Sequence, residues 1–268
     1  MKNSAADTPV SVSPVLLERD GAIATLRFNR PDALNAIDVP MANAFLAAVQ
    51  AIAADPGVRA VVLCGNGRGF MAGGDLATLR ADPVQGAIDI LTPLNQALLL
   101  LTQMNAPVIA QVHGVAAGAG LSLLLMADYV LMAEGTRLNL AYINLGTSCD
   151  VGASWALPRI VGVRQALEIA LLGEAFTADD ALRLGLVNRV VPAAELANAT
   201  TALAQRFAAG PTVAYGAMKR LLRQSGERTL AEQLAAEKDA FVHCAGTEDF
   251  AAGVEAFHQR QSPQFEGR

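Results

Sequence analysis

Three short apolar segments, separated by loops and helical segments, constrain the fold of this chain more than any other feature. They are RAVVLCG (59–65), PVIAQVHG (107–114) and DYVLMAE (128–134), and each is predicted to be a buried strand. Between the second and third strands, VAAGAGLSLLLMA starts with Gly and Ala and continues as an apolar helix. This alternation favours right-handed βαβ units and a largely parallel sheet, so we expect an α/β fold.

The flanking segments are predicted to be a hairpin and a series of helices. Residues 15–30 form two strands around an Asp-Gly turn, and residues 39–54 are apolar at helical spacing. After residue 150 the exception among helical patterns is VNRVV (187–191), a strand pattern. The helical patterns cover 163–172, 178–184, 193–209, 212–224, 229–243 and 247–260. We expect this tail of amphipathic helices to pack on its own core or on a neighbouring subunit.

The composition excludes several classes of protein. Charged residues make up 17% of the 268-residue chain, which is too few for intrinsic disorder over most of its length. The formal net charge is -5 and no basic stripe is visible, so no nucleic-acid partner is expected. Cys64, Cys149 and Cys244 lie far apart, and we expect neither a disulfide framework nor a metal site.

The sequence also predicts a location. The N-terminal MKNSAADTPVSVSP lacks the apolar core of a secretory signal. The most apolar stretches are interrupted early, since 98–101 is followed by Thr-Gln and 121–127 contains a serine. No stretch approaches the ~18 apolar residues of a membrane span, so we expect a cytoplasmic protein without a membrane partner.

Two glycine-rich segments follow predicted strands. GNGRGFMAGGDL (65–76) is a backbone-dominated loop whose N–H groups can approach a ligand closely, although a plain surface turn has the same composition. Its partial match to a dinucleotide-binding fingerprint is weak, because Gly73-Gly74 delays the helix. HGVAAGAGLSL (113–123) opens a helix at its small residues. Such a helix start attracts negative charge or a developing oxyanion, but it also suits close helix–strand packing.

A single carboxylate stands in a third segment, YINLGTSCDVGASWALPRIVG (142–162). Asp150 precedes a short helix, and its ordinary interpretation is a helix N-cap. Its functional interpretation is a desolvated carboxylate among apolar walls that is able to take a proton.

With these three segments together, the sequence resembles the enoyl-CoA hydratase/isomerase (crotonase) superfamily from Val15 to Arg268. The matching segments include IALLGEAFTADDALRLGLVNRVV and the C-terminal GVEAFHQRQSPQFEGR. Within the family, D-x-G-x-x-W-x-L-P-R at 150–159 and the SPQF ending are most similar to the 1,2-epoxyphenylacetyl-CoA isomerases of phenylacetate degradation. The resemblance implies a crotonase-like ββα spiral core (14–200) after a flexible arm (1–13). It also implies a helical C-terminal trimerisation region (201–268), and hence a homotrimer or homohexamer.

The resemblance implies roles for individual residues. The thioester oxygen of an acyl-CoA would be held by the backbone N–H groups of Gly74 and Ala119. Coenzyme A enters as part of the substrate, and no separate cofactor is expected. The other residues placed by the resemblance at the substrate are Ala72, Asp75 and Leu76 along the CoA channel, Gly118, Tyr142, and Lys219 at the CoA phosphates.

The two glutamates that hydratases of the family use fall at Ser122 and Tyr142, so both are absent. Adding water normally needs an acid/base pair, whereas shifting a double bond needs one base. The resemblance therefore implies an acyl-CoA isomerase of fatty-acid or aromatic-acid degradation with Asp150 as the base. Opening of a ring epoxide is included in this prediction. The alternatives are a hydratase with atypical catalytic groups and a catalytically weak acyl-CoA-binding protein.

Overall fold

A computed structural model describes residues 13–268 of the chain, so the predicted flexible arm lies outside it except for its last residue. The strands are β1 Val15–Asp20, β2 Ile23–Phe28, β3 Ala60–Gly65, β4 Val108–Val112, β5 Val115–Ala117, β6 Tyr129–Ala133, β7 Arg137–Asn139, β8 Phe176–Thr177 and β9 Arg189–Val191. The α-helices are α1 Val39–Ala53, α2 Leu76–Ala81, α3 Pro83–Gln103, α4 Ala119–Met126, α5 Ala153–Leu172, α6 Ala178–Arg183, α7 Leu196–Ala208, α8 Thr212–Gln224, α9 Leu230–Ala245 and α10 Glu248–Gln259.

The main sheet has six strands in the order β1-β2-β3-β4-β6-β9. The β1–β2 pair is the predicted antiparallel hairpin, and Gly21 takes a positive φ of 54° in its turn. Every other neighbouring pair is parallel, as predicted. All six residues of β3 are buried because helices cover both of its faces, which explains its uninterrupted apolar sequence.

Two apolar clusters lie on opposite faces of this sheet. The larger contains residues of α1, α3 and α4, including Phe45 and Leu124. The smaller packs α7, through Leu196 and Ala204, against Val62, Ile109 and neighbouring strand residues. The predicted boundary between 200 and 201 therefore falls within α7, a helix that packs against the sheet. The purely helical region begins after it, with α8.

A second sheet of three short strands, in the order β5-β7-β8, was not predicted from the sequence. β5 and β7 pair in parallel, and β7 and β8 pair antiparallel. No strand in it is longer than three residues, which leaves too little pattern to recognise. This sheet matters for the site because β5 leads directly into α4.

Helix α3 contradicts the expectation that no segment is long and apolar enough for a membrane span. Its 21 residues are long and apolar enough, by length and composition only, to match a membrane span. The helix packs along α1 and buries one face, including Ile90, Leu94 and Leu98, as core helices of globular domains do. The predicted cytoplasmic location stays a prediction.

Helices α8 to α10 end the chain. The C-terminal tail returns to α10, where the buried Asp249 carboxylate accepts the N–H groups of Glu266 and Gly267 at 2.7 and 2.9 Å. By contrast, α9 buries no side chain against the described part of the chain, and Leu230, Leu234 and Phe241 are exposed. These apolar side chains of α9 thus face outward within one chain and do not pack on its core.

Candidate active site

The two glycine-rich segments meet through backbone pairing. Met71 in the first segment forms a parallel bridge with Ala116 of β5. The Ala117 N–H donates to the Met71 carbonyl at 2.9 Å, and the Met71 N–H donates to the Val115 carbonyl at 3.2 Å. The start of α4 is thereby fixed against the loop that follows β3.

This contact requires a glycine at position 120. A methyl group on Gly120 would lie 2.9 Å from the Met71 carbonyl carbon and closer still to its oxygen. No carbon side chain fits there unless the two segments separate. The glycine pattern that suggested either ligand binding or close packing therefore reflects close packing at this residue.

Two backbone donors remain free where the segments meet. Neither the Gly74 N–H nor the Ala119 N–H has an acceptor within residues 13–268. Ala119 is the first residue of α4, after Gly118 with a φ of 49°, so its N–H has no partner inside the helix. A methyl group on Gly73 would lie 3.7 Å from the Ala119 nitrogen, which places the two segments side by side. Two neighbouring free donors can stabilise an oxyanion.

Asn35 organises the first loop and was missed in the sequence. Its fully buried amide nitrogen donates to the carbonyls of Asn66, Gly69 and Phe70 at 2.9, 2.9 and 3.2 Å. Asn35 itself has a φ of 57°, a conformation that asparagine tolerates better than most residues. No local pattern reveals this role, because the partners lie more than 30 residues away.

The residues expected along a CoA channel lie beyond this loop. The Ala72 N–H donates to the Leu34 carbonyl at 3.0 Å, and the Leu76 side chain is exposed. Asp75 caps α2 by accepting the Ala77 N–H at 2.9 Å, and it pairs with Arg30 at 2.9 Å. Burial acts to raise the pKa of Asp75, but Arg30 and the backbone donors outweigh it and lower the pKa. Asp75 thus holds the loop in place.

Asp150 ends a chain of hydrogen bonds that begins at α4. The Tyr142 hydroxyl donates to Asp150 Oδ1 and lies 2.9 Å from Ser122 Oγ. Ser122 Oγ is in turn 3.2 Å from the Gly118 carbonyl oxygen. The two positions where the resemblance places the glutamates of hydratases therefore hold hydroxyls, which connect Asp150 to the Gly118–Ala119 peptide.

The surroundings of Asp150 favour its protonated form. Burial raises the pKa of the Asp150 carboxyl, and the hydrogen bond from Tyr142 offsets only part of that rise. Burial and the neighbouring Asp150 charge raise the pKa of Tyr142, which therefore stays a protonated donor. A carboxylate with a raised pKa is a stronger base than an exposed aspartate.

The backbone is strained on both sides of this pair. Ala141 precedes Tyr142 with a φ of 56°, and Val151 follows Asp150 with a φ of 50°, which is unusual for a β-branched residue. Asp150 is not a helix N-cap, because Gly152 occupies that position and no side chain caps the helix. The ordinary interpretation of Asp150 is therefore wrong, and strain at a held carboxylate is typical of functional sites.

Lys219 lies apart from this cluster. Its ammonium group is 2.6 Å from Asp128 Oδ2 and 2.9 Å from the Ala106 carbonyl oxygen, and its side chain is 9% exposed. The buried ammonium group already donates to these two oxygens of the protein. This arrangement therefore does not support the predicted contact with CoA phosphates.

Two cavities beside α5 and α8 do not contain the free donors or Asp150. Their volumes are about 600 and 440 Å³, and Trp155 and Arg223 of α5 and α8 line both. Within residues 13–268, no group of three His, Cys, Asp or Glu side chains could hold a metal ion. Free N–H donors and a buried carboxyl are groups that can support proton transfer beside a stabilised oxyanion.

The chain is similar to known proteins over almost its whole length. Residues 18–268 match the family model described as enoyl-CoA hydratase/isomerase. The chain is 34% identical to the 1,2-epoxyphenylacetyl-CoA isomerase of Escherichia coli K12, over 95% of this chain and 98% of that protein. It is 35% identical to the 2,3-dehydroadipyl-CoA hydratase of the same organism, over 96% and 100%.

The fold has solved counterparts. A crystal structure of an enoyl-CoA hydratase from Mycobacterium smegmatis superimposes with a TM-score of 0.88 at 34% identity, covering 94% of this chain and 98% of that chain. The similar proteins thus include both isomerases and hydratases by name.

Proposed function

Because the chain belongs to the enoyl-CoA hydratase/isomerase family, we propose that it is an acyl-CoA isomerase that shifts a double bond through an enolate. The family acts on acyl-CoA thioesters, and the chain has the crotonase-like fold of its structural neighbours. The resemblance identified from the sequence, including that to 1,2-epoxyphenylacetyl-CoA isomerases, is thereby confirmed. Isomerisation, the roles of single residues and the acyl group belong to the proposal.

In the proposed reaction, the Asp150 carboxylate removes a proton from the carbon next to the thioester of a 3-enoyl-CoA. The C–H electron pair moves into a dienolate, whose oxygen accepts the N–H groups of Gly74 and Ala119. The Asp150 carboxylic acid then returns the same proton two carbons further along, which gives the 2-enoyl-CoA. No oxidant, metal or water is consumed. Opening of a ring epoxide next to the thioester would use the same base and the same donors.

One observation carries this proposal. Ser122, Tyr142 and Asp150 are joined by hydrogen bonds, and within the described part of the protein the carboxyl of this group is that of Asp150. Burial raises the pKa of this carboxyl and strengthens it as a base. Hydration would need a second acid or base to activate water and deliver its proton, and the two candidate positions hold hydroxyls instead.

A hydratase with atypical groups is the second candidate, because the chain is 35% identical to a 2,3-dehydroadipyl-CoA hydratase. The third candidate is a protein that binds acyl-CoA with little catalysis. Incubation with a 3-enoyl-CoA and, separately, with a 2-enoyl-CoA distinguishes the three. The isomerase converts the first to the conjugated thioester and adds no water to the second. A hydratase adds water to the second, and a binding protein changes neither.

The deciding variant is Asp150→Asn. The amide keeps the size of the side chain and can still accept the Tyr142 hydroxyl, but it cannot take a proton. We expect isomerisation to fall by orders of magnitude while acyl-CoA binding is retained. If the variant keeps more than about a tenth of the wild-type rate, a barrier change below ~1.4 kcal/mol, Asp150 is not the base and the mechanism must be abandoned.

We also propose that the chain assembles as a homotrimer or a pair of trimers. The exposed apolar residues Leu230, Leu234 and Phe241 of α9 support this proposal, because a partner would remove them from water.

A further inference from the structure

The hydrogen-bonded chain between α4 and Asp150 has more donor–acceptor contacts than it has hydroxyl protons to fill them. It contains three links: from the Gly118 carbonyl to Ser122, from Ser122 to Tyr142, and from Tyr142 to Asp150. Each hydroxyl carries one proton, so the two hydroxyls can fill only two of the three links at a time. While Asp150 is ionised, one link must therefore lack a donor.

The charge of Asp150 decides which link lacks a donor. An ionised carboxylate only accepts, so the Tyr142 proton points to Asp150. A hydroxyl that donates to a charged group becomes a better acceptor, which draws the Ser122 proton toward the Tyr142 oxygen. The Gly118 carbonyl then keeps only the Ser122 N–H, which donates to it at 3.0 Å.

Proton abstraction reverses this preference. Once Asp150 is a neutral acid, its bond from Tyr142 weakens and the Tyr142 oxygen becomes a poorer acceptor. At the same moment the Ala119 N–H would hold an anionic enolate oxygen. Because Gly118 C=O and Ala119 N–H belong to one peptide group, donation by the N–H makes the carbonyl oxygen a stronger acceptor.

We propose that the Ser122 hydroxyl changes its acceptor during the reaction, from Tyr142 while Asp150 is ionised to the Gly118 carbonyl once Asp150 holds the substrate's proton. The inference rests on the proposed function, in which Asp150 is the base. The hydroxyl proton turns about the Cβ–Oγ bond and no covalent bond changes in Ser122. The turned hydroxyl strengthens the Ala119 N–H as a donor to the enolate. Ser122 is therefore a positioning residue that couples the base to the oxyanion donors.

The free Oδ2 of Asp150 fits this scheme. Within the described residues, Tyr142 is the only side chain that donates to Asp150, and it occupies Oδ1. Oδ2 is left for the substrate proton. The Ser122 hydroxyl can therefore change its acceptor without breaking the hydrogen bond from Tyr142 that orients the carboxyl.

The test measures an enolate directly as well as turnover. Acetoacetyl-CoA, a β-keto thioester, is bound to the purified protein, and its enolate is followed by the near-ultraviolet absorbance that the keto form lacks. The isomerisation kcat and KM are measured on a 3-enoyl-CoA. We expect Ser122→Ala to lower the bound enolate-to-keto ratio and kcat about fivefold, the size of one neutral hydrogen bond. KM should stay within about twofold, since the bond forms after abstraction.

Thr200→Val is the matched control. Thr200 is also buried, and its hydroxyl also donates to a carbonyl four residues earlier in a helix, at 2.8 Å, but it lies in α7 on the other face of the sheet. The control should lose stability to a similar extent and leave the enolate ratio and kcat unchanged. Equal kinetic losses in both variants, or no loss in Ser122→Ala, would overturn the inference.

A second background separates the proposed switch from a fixed relay. With Tyr142→Phe, the Ser122 proton has only the Gly118 carbonyl as acceptor, so Ser122→Ala should still lower the enolate ratio, and by more than fivefold. If the effect of Ser122→Ala disappears in that background, Ser122 only supports Tyr142 and the switch is wrong. A wild-type protein that forms the Ser122-dependent enolate but does not isomerise a 3-enoyl-CoA would reject the proposed function alone.

Discussion

The Lys219 ammonium nitrogen lies 2.6 Å from Asp128 Oδ2, and the two side chains are 9% and 13% exposed. Arg223 contacts the other oxygen of the same carboxylate at 2.8 Å, and the Val108 N–H also donates to Asp128. Burial lowers the pKa of Lys219, and the Asp128 charge opposes that effect. The pair ties α8 to the start of β4 and to the residue before β6.

Replacing Lys219 by Met tests this assignment. A buried pair that loses one partner costs about 3–5 kcal/mol, and since Arg223 still neutralises Asp128 we expect a loss of about 3 kcal/mol. Thermal unfolding measures the loss, and Lys238→Met is the control because that lysine is exposed. The KM for an acyl-CoA should not change. A raised KM with an unchanged melting temperature would instead support the contact with CoA phosphates.

Gly74→Pro tests the free donor. The substitution removes the N–H but breaks no internal hydrogen bond of the described chain, because that N–H has no acceptor there. Loss of one oxyanion donor lowers kcat about 100- to 1000-fold. Gly74→Ala is the matched control, since its methyl group would meet Leu79 at an ordinary 3.6 Å and keep the N–H. A folded proline variant with unchanged turnover would show that Gly74 is not a donor.

Gly120→Ala tests the contact between the two glycine-rich segments. Overpacking of this kind destabilises by about 1–3 kcal/mol, and separation of the segments should also reduce turnover. Gly253→Ala in α10 is the control, because its methyl group would meet Phe265 at 3.5 Å, an ordinary contact. Alanine in place of a helical glycine should there stabilise by about 0.5–1 kcal/mol. Equal stability changes in the two variants would contradict the close approach of Gly120 to Met71.

The raised pKa of Asp150 predicts a pH-dependent stability difference. The folded chain binds this proton more tightly than the unfolded chain, so stability falls as the pH rises from the unfolded pKa through the folded pKa. Asp150→Asn never ionises and should melt at a higher temperature than wild type at pH 7. The difference should shrink toward pH 4, near the ordinary aspartate pKa of about 4. A wild type more stable than Asp150→Asn at pH 7 would contradict the sign.

The exposed face of α9 predicts the assembly. Light scattering should give the mass of a trimer or hexamer for the wild-type protein at micromolar concentration. Leu234→Glu with Phe241→Glu should lower that mass, because both side chains are more than half exposed within one chain. Asp239→Lys is the control, because Asp239 is exposed on the opposite face of the same helix, and it should leave the mass unchanged. A stable wild-type monomer would count against the proposed assembly.

Most of the fold could be predicted because its signals are local. The hairpin, β3, β4 and β6 follow from turn residues and apolar runs, and α8 occupies the predicted 212–224. The small second sheet could not be predicted, since its pairing joins Val115 to Arg137 through strands of at most three residues. Helices α2 and α3 were not predicted either, because apolar residues such as Val84, Ile88 and Leu99 are exposed on α3 and blur its helical pattern.

The site was predictable in part. Asp150 and the two glycine-rich segments followed from the resemblance and from residue type. The bonds from Tyr142 to Ser122 and to Asp150 could not be predicted, because their partners lie 20 and 8 residues apart and meet only through the packing of α4 against the loop after β7. For Lys219 the resemblance predicted a contact with CoA phosphates that the structure does not support. Nothing in a helical sequence reveals that a lysine points inward to an aspartate 91 residues earlier.

The backbone bridge between Met71 and Ala116 has a consequence for how such a protein can change over generations. Both proposed oxyanion donors are main-chain groups, so most single-codon replacements at positions 74 and 119 leave an N–H in place. The proposed base, in contrast, is one side chain that a single-codon change can remove or exchange. Mutation can therefore alter what is done to the bound thioester far more readily than it can alter how the thioester is held.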